Sequence, residues 1–257
     1  VLDKAGMKVR EMPRDSVGNE AEKFDQLSTG LLELSLSDVR AIAQVDPFIY
    51  GLRLPYMFDD AAHMQRALAD GSIFDRVNEA VADQDVMLLA IVPIGPSSGI
   101  ITTDAAVRTP ADMADLRMRA LDDAQIALYK AWGTTGTVVP WGEVPAGLQT
   151  GVIDGQENPY AQIASAKFQE VQKYLSITGH VYTPAYILAS KKKFDGLPED
   201  VQTGLTDCAN RTQDFTYETA AGIFGPDPLE TVDPSTNATV QYAMPLAYSL
   251  HVHPATL

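Results

Sequence analysis

Cysteine occurs once in this chain, at Cys208, so no internal disulfide can form and no thiolate cluster can hold a metal. Sharing a helical stripe with Val201 and Leu205, that lone thiol reads as a small core residue. Long apolar runs are also missing. The longest, VMLLAIVPIG from Val86, is well short of the roughly 18–20 residues a membrane-spanning helix needs, so direct membrane insertion is excluded and a buried strand is expected. Basic residues are scarce, with 19 Lys and Arg against 34 Asp and Glu and a net charge of -15. Such a surface repels nucleic acid and anionic membranes, because phosphate binding needs clustered cations. The one basic run, Lys191-Lys192-Lys193, reads as a solvated loop or helix end. Of the histidines His63, His180, His251 and His253, only the terminal HVH pair has a metal-like spacing, and a tail is its commoner reading. No metal and no cofactor is therefore expected. Internal repeats and low-complexity tracts are absent too.

What is present is ordinary globular material: 257 residues, 46% hydrophobic and 21% charged, enough for two compact lobes or one large α/β domain. Short apolar runs alternate with amphipathic helical stretches, the pattern of an α/β fold. MKVREMP alternates like an edge strand, Gly18 to Thr29 reads as a helix closed by Gly30, and LLELSL follows as a strand. Asp59 and Asp60 can cap a helix through HMQRALAD, and IFDRVNEAVAD forms the next. TPADMADL places Thr109 at a cap and Pro110 at the first helical position. LRMRA, TVVPW, VID and YILAS read as strands. Helices are expected from Asp122 to Trp132, over GEVPAGLQT, over KFQEVQKYL with Phe168, Val171 and Leu175 on one face, and as one long segment after LPEDVQ. From Gly225 the residues are rich in Pro, Thr, Asp and Asn and read as a linker.

Two places hold chemistry. Arg117 and Arg119 fall on one face of a strand, with Arg119 at its carboxyl end, where open α/β sheets bind ligands. A guanidinium fork there matches a carboxylate; a surface salt bridge is the equal alternative. In VIDGQENPY, Gly155 permits a tight turn, and Asn158 can donate and accept towards a carboxylate or hydroxyl. Ordinary turn chemistry explains the same residues.

The run EVPAGLQTGVIDGQENPYAQIASAKFQEVQKYLSITGHVY resembles the central signature of the periplasmic solute-binding proteins of TRAP transporters. RTPADMADLRMRA, LRLPYMF and the long helix after LPEDVQ match the same family, and the resemblance runs from about Gly6 to Phe224. It implies a two-lobe periplasmic-binding-protein-like α/β fold with a long helix linking the lobes. Lobe one would hold residues 1–96 and 184–223, lobe two 97–183, with 224–257 an atypical tail. It implies a non-enzymatic, periplasmic protein that captures a small organic carboxylate between the lobes for TRAP membrane permease subunits. Arg119 would clamp the carboxylate, Asn158 assist it, Trp141 lay an aromatic ring against the ligand, and Asp38 contribute from the first lobe. His180 would lie near the mouth. Core packing is the bland reading of Trp141 and of His180.

Three features depart from the family. Its first strand and helix have no counterpart before Val1, so an upstream segment is expected to be missing. An arginine common before the next turn is replaced in SSGIITTD by Gly99 or Ile100, which favours monocarboxylates. The tail after Gly225 matches no closing segment of the family. The alternatives are a sensor domain of the same fold and, more remotely, a hydrolase of Ser97 or Ser98, His180 and Asp154. For the hydrolase, GPSSG lacks the nucleophile elbow.

Overall fold

The computed structural model describes residues 6–13, 16–95, 97–223 and 251–254. Helix α1 (Glu20–Thr29) starts at Asn19, whose side chain accepts from the Glu22 amide while Glu22 accepts from the Asn19 amide. That reciprocal cap satisfies two amides a helix start leaves unpartnered, and Gly30, at φ 76°, ends the helix in the left-handed region. Strand β1 (Leu34–Ser37) leads to α2 (Val39–Ala43), α3 (Ala61–Leu68) and α4 (Ser72–Ala82), and then to β2 (Val86–Pro93). Next come β3 (Ser98–Thr102), β4 (Arg117–Ala120), α5 (Asp123–Ala131), β5 (Thr135–Val138) and α6 (Val144–Gln149). The remaining elements are β6 (Gly155–Pro159), α7 (Tyr160–Ser165), β7 (Tyr174–Ile177), β8 (Pro184–Ser190), α8 (Lys191–Asp195), α9 (Glu199–Ile223) and β9 (His251–Pro254).

The chain divides into two compact units, Val1–Ile94 with Thr183–Ile223 and Gly95–Tyr182 with Phe224–Leu257. The first unit carries an antiparallel sheet in the order β1-β8-β2. Leu89, Ala90 and Val92 of β2 pack with Ala185, Ala189, Phe194 and Ala209, so α8 and α9 cover this sheet. The Gln213 side chain of α9 accepts from the Ile91 amide at 3.0 Å. On β1 the polarity is inverted: Leu34 and Leu36 face out, while Ser35 and Ser37 are buried and bonded to each other at 2.9 Å. The outward Leu34 borders a groove of about 610 Å³ lined also by Met7, Val9, Leu32 and Phe194.

The second unit carries a mixed sheet in the order β5-β4-β6-β3-β7-β9. β4 runs parallel to β5 and β6, β3 runs antiparallel to β6 and β7, and β9 pairs parallel with β7. Both faces are covered, as an interior sheet requires. Ile100, Met118, Ala120 and Tyr129 form the core on one face. Ile101, Val139, Phe168 and Leu175 form the core on the other, with Trp141 packed at its edge.

Several local expectations are corrected. Met7–Pro13 forms no strand, and the 109–116 stretch makes only a 3-10 turn, Pro110–Met113. VID is not a strand; the chain pairs three residues later, so GQENP, expected as a turn, is β6. KFQEVQKYL is not a helix but a 3-10 turn, Phe168–Glu170, followed by β7, and Lys167 at φ 56° breaks any helix running in from α7. Cys208 is exposed on α9. The linker expected from Gly225 lies outside the described residues apart from β9.

Candidate functional site

The site is built on the face of the second sheet that carries Ile101. β4 places Arg119 in register with Gln156 of β6, and Asn158 lies two residues further along the same face. Met118 and Ala120 point into the opposite core, so strand alternation leaves Arg119 on this side. Its side chain is 3% exposed. A guanidinium so removed from water has to be held by oxygen partners, and Nε donates to the Val139 carbonyl at 3.0 Å. The chain leaving β5 brings the Trp141 ring to 5.8 Å from the guanidinium carbon. Phe168 meets Trp141 edge-on at 5.4 Å, which fixes the indole plane. The result is a cation, a ring and an amide on one wall.

That amide is held by others. Asn158 Nδ2 donates to Gln156 Oε1 at 2.7 Å, Gln156 Nε2 to Gln172 Oε1 at 2.8 Å, and Gln172 Nε2 to the Ile101 carbonyl at 2.8 Å. Gln156 and Gln172 are fully buried. Sequence reasoning passed over Gln172. No local signal marked it, since Gln172 stands among Gln169, Glu170 and Lys173 in the sequence, and only its burial, which demands a partner, sets it apart.

Not every expected residue joins this wall. Glu157 points to the opposite face, where its Oε2 is 3.1 Å from His180 Nε2 and 3.5 Å from the Tyr129 hydroxyl. His180 Nδ1 meets the Thr178 hydroxyl at 2.5 Å, and Trp132 packs edge-on to the imidazole at 5.2 Å. His180 is therefore enclosed, with both ring nitrogens engaged, and is not brought to Arg119 and Asn158. The same bonds leave the imidazole unavailable to Ser97 or Ser98. Asp154, the acid of the hydrolase alternative, is instead paired with Arg117 through Nε at 2.8 Å and Nη2 at 2.6 Å. The Arg117 guanidinium holds the Asp154 carboxyl below its usual range. Asp38 belongs to the first unit, where it caps α2 and binds the Arg40 guanidinium at 2.6 Å.

At Gly99, opposite Asn158 in the β3–β6 register, an added Cβ would come to 2.5 Å from Tyr160 Cε1 and 3.0 Å from the Ser176 carbonyl. No side chain fits there, and Ile100 is fully buried. Neither position can present a second guanidinium on this scaffold. Among the described residues no cluster of His, Cys, Asp or Glu could hold a metal, and no helix is long and apolar enough to cross a membrane.

An α/β architecture with two sheets thus carries a buried arginine on one sheet face with an amide, and an indole near the guanidinium, groups able to hold a small anion. The chain belongs to the bacterial extracellular solute-binding protein family 7, whose model matches residues 4–222. It is 32% identical over 213 residues to the 2,3-diketo-L-gulonate-binding periplasmic protein of Escherichia coli, covering 82% of this chain and 64% of that relative. The chain thus spans less than two thirds of that relative's length. A TRAP periplasmic solute-binding protein from Bordetella bronchiseptica, its ligand density assigned to pantoate, matches with a TM-score of 0.80 at 26% identity, covering 99% of this chain and 79% of the other. One from Xanthobacter autotrophicus with bound β-D-galacturonate matches with a TM-score of 0.75 at 26% identity, covering 84% and 72%.

Proposed function

We propose that this chain captures a small hydroxylated monocarboxylate in the periplasm and delivers it to the membrane permease subunits of a TRAP-type transporter. The observation that carries this reading is Arg119, a buried guanidinium sharing one sheet face with the Asn158 amide and lying beside the Trp141 ring. A guanidinium in a low-dielectric wall matches a carboxylate geometrically and in charge. The indole supports the carbon skeleton, and the amide reads a neighbouring polar group. The ligands named for the relatives support the class: 2,3-diketo-L-gulonate, pantoate and galacturonate each carry one carboxylate and several oxygens. The acidic surface adds no attraction of its own for an anion, so affinity rests on the local clamp. Titration calorimetry with pantoate, D-galacturonate and D-gluconate tests the reading, with saturable binding of at least one acid expected. Absence of heat for all of them, with the protein shown to be folded, would overturn it.

A further inference from the structure

We infer that Gln172 and Gln156 are positioning residues that set which groups of Asn158 meet a ligand, and so select a carboxylate carrying a hydroxyl beside it; this rests on the carboxylate reading above. The starting point is a backbone carbonyl. The oxygen of Ile101 can only accept, so the Gln172 amide must turn its NH2 towards it and its carbonyl towards Gln156. Gln156 is then obliged to donate to Gln172 and to offer its own carbonyl to Asn158. Each link is 2.7–2.8 Å, and burial of Gln156 and Gln172 keeps out water that could scramble the order. An amide's two ends are interchangeable in shape, and here a carbonyl three links away decides them.

The outcome at Asn158 is specific. One Nδ2–H is consumed by Gln156, leaving the second N–H and the carbonyl oxygen for a ligand. A bare carboxylate offers acceptors only, so it satisfies the N–H and leaves the oxygen without a donor. A 2-hydroxy acid offers both, a carboxylate oxygen to the N–H and an O–H to the carbonyl. A site built to bond a hydroxyl rejects the analogue lacking it, because its own polar group is left unpaired.

The test compares two 2-hydroxy acids, pantoate and D-gluconate, with their 2-deoxy analogues by calorimetry. Wild type is expected to bind a hydroxy acid about tenfold or more tighter than its deoxy partner. In Gln172→Leu the polarity of the chain is lost, and that ratio should fall towards one. In Gln172→Glu a buried, protonated carboxyl offers the same donor to Ile101 and the same acceptor to Gln156, so the ratio should return. A purely structural role for Gln172 would weaken both acids alike and leave the ratio unchanged in Gln172→Leu; that result would overturn the inference while leaving the carboxylate reading intact. Failure of wild type to bind any of the four acids or D-galacturonate would overturn both, whereas binding of D-galacturonate alone, or equal binding of hydroxy and deoxy acids by wild type, would overturn only this one.

Discussion

The guanidinium of Arg119 and the indole of Trp141 lie 5.8 Å apart, carbon to ring centroid, and the arginine is held from behind by the Val139 carbonyl. The charge is thus oriented before a ligand arrives, which lowers the ordering cost of binding. Arg119→Ala should remove roughly 2–5 kcal/mol of affinity for a bound acid, the cost of leaving a buried charge without its partner. Arg119→Lys should bind poorly as well, since a point charge cannot reproduce the fork. Calorimetry against the tightest acid of the panel checks both, and near-normal affinity in the alanine variant would remove Arg119 from the site.

Trp141 should report ligand arrival through its fluorescence. Trp132, the other indole, packs against Tyr129 and His180 on the opposite face of the sheet and supplies a constant background. Trp141→Phe is expected to abolish the ligand-induced change. A full signal remaining in that variant would make Trp141 a core residue only, its ring serving Phe168 and not a ligand.

Capped helices were readable because their signals are local. Gly30 after α1, Asp60 before α3, and Asp122 at the start of α5 each satisfy backbone groups of their own segment. β6 was not readable, because Gly155, Asn158 and Pro159 favour turns when considered alone; β3 and β4, distant in sequence, supply the hydrogen bonds that make them a strand. Phe168, Val171 and Leu175 imitate a helical stripe, yet they are shared between a 3-10 turn and β7. Arg119 could be placed from alternation within LRMRA, since Met118 on the other face is plainly core. The amide chain could not, since the Ile101 carbonyl lies 71 residues from Gln172.

The Arg117–Asp154 pair ties the start of β4 to the residue before β6, and its side chains are 54% and 27% exposed. Because the folded state depresses the Asp154 carboxyl through its bond to Arg117, the pair stabilises the fold above the ordinary carboxylate range, and that contribution is lost as pH falls through the depressed value. Asp154→Asn should therefore cost about 0.5–1 kcal/mol at neutral pH, the scale of a largely exposed ion pair. The gap in melting temperature between the two proteins should close in strong acid. A gap that stays constant from about pH 7 to about pH 2 would mean the side chain acts through hydrogen bonding and not through charge.

The last expectation concerns the number of carboxylates on the ligand, which should be one. A second buried carboxylate needs a second cation within reach, since an unpaired charge in a low-dielectric wall is costly. Arg117, the nearest candidate in sequence, is engaged by Asp154 through both Nε and Nη2. Gly99 cannot accept any side chain without a collision with Tyr160, and Ile100 is packed into the core. The penalty against a dianion should then exceed the gain from any extra contact, and selectivity arises from what the wall lacks. D-Gluconate and its diacid counterpart, D-glucarate, are both open chains with the same 2-hydroxy carboxylate end and differ only at C6, which makes them a direct comparison. A thermal-shift and calorimetric screen should show the monoacid bound at least about 100-fold tighter, on the scale of a charged group left unsatisfied. Stabilisation by D-glucarate, malate or succinate, but by none of the monoacids, would mean that a cation outside Arg117, Gly99 and Ile100 completes the clamp.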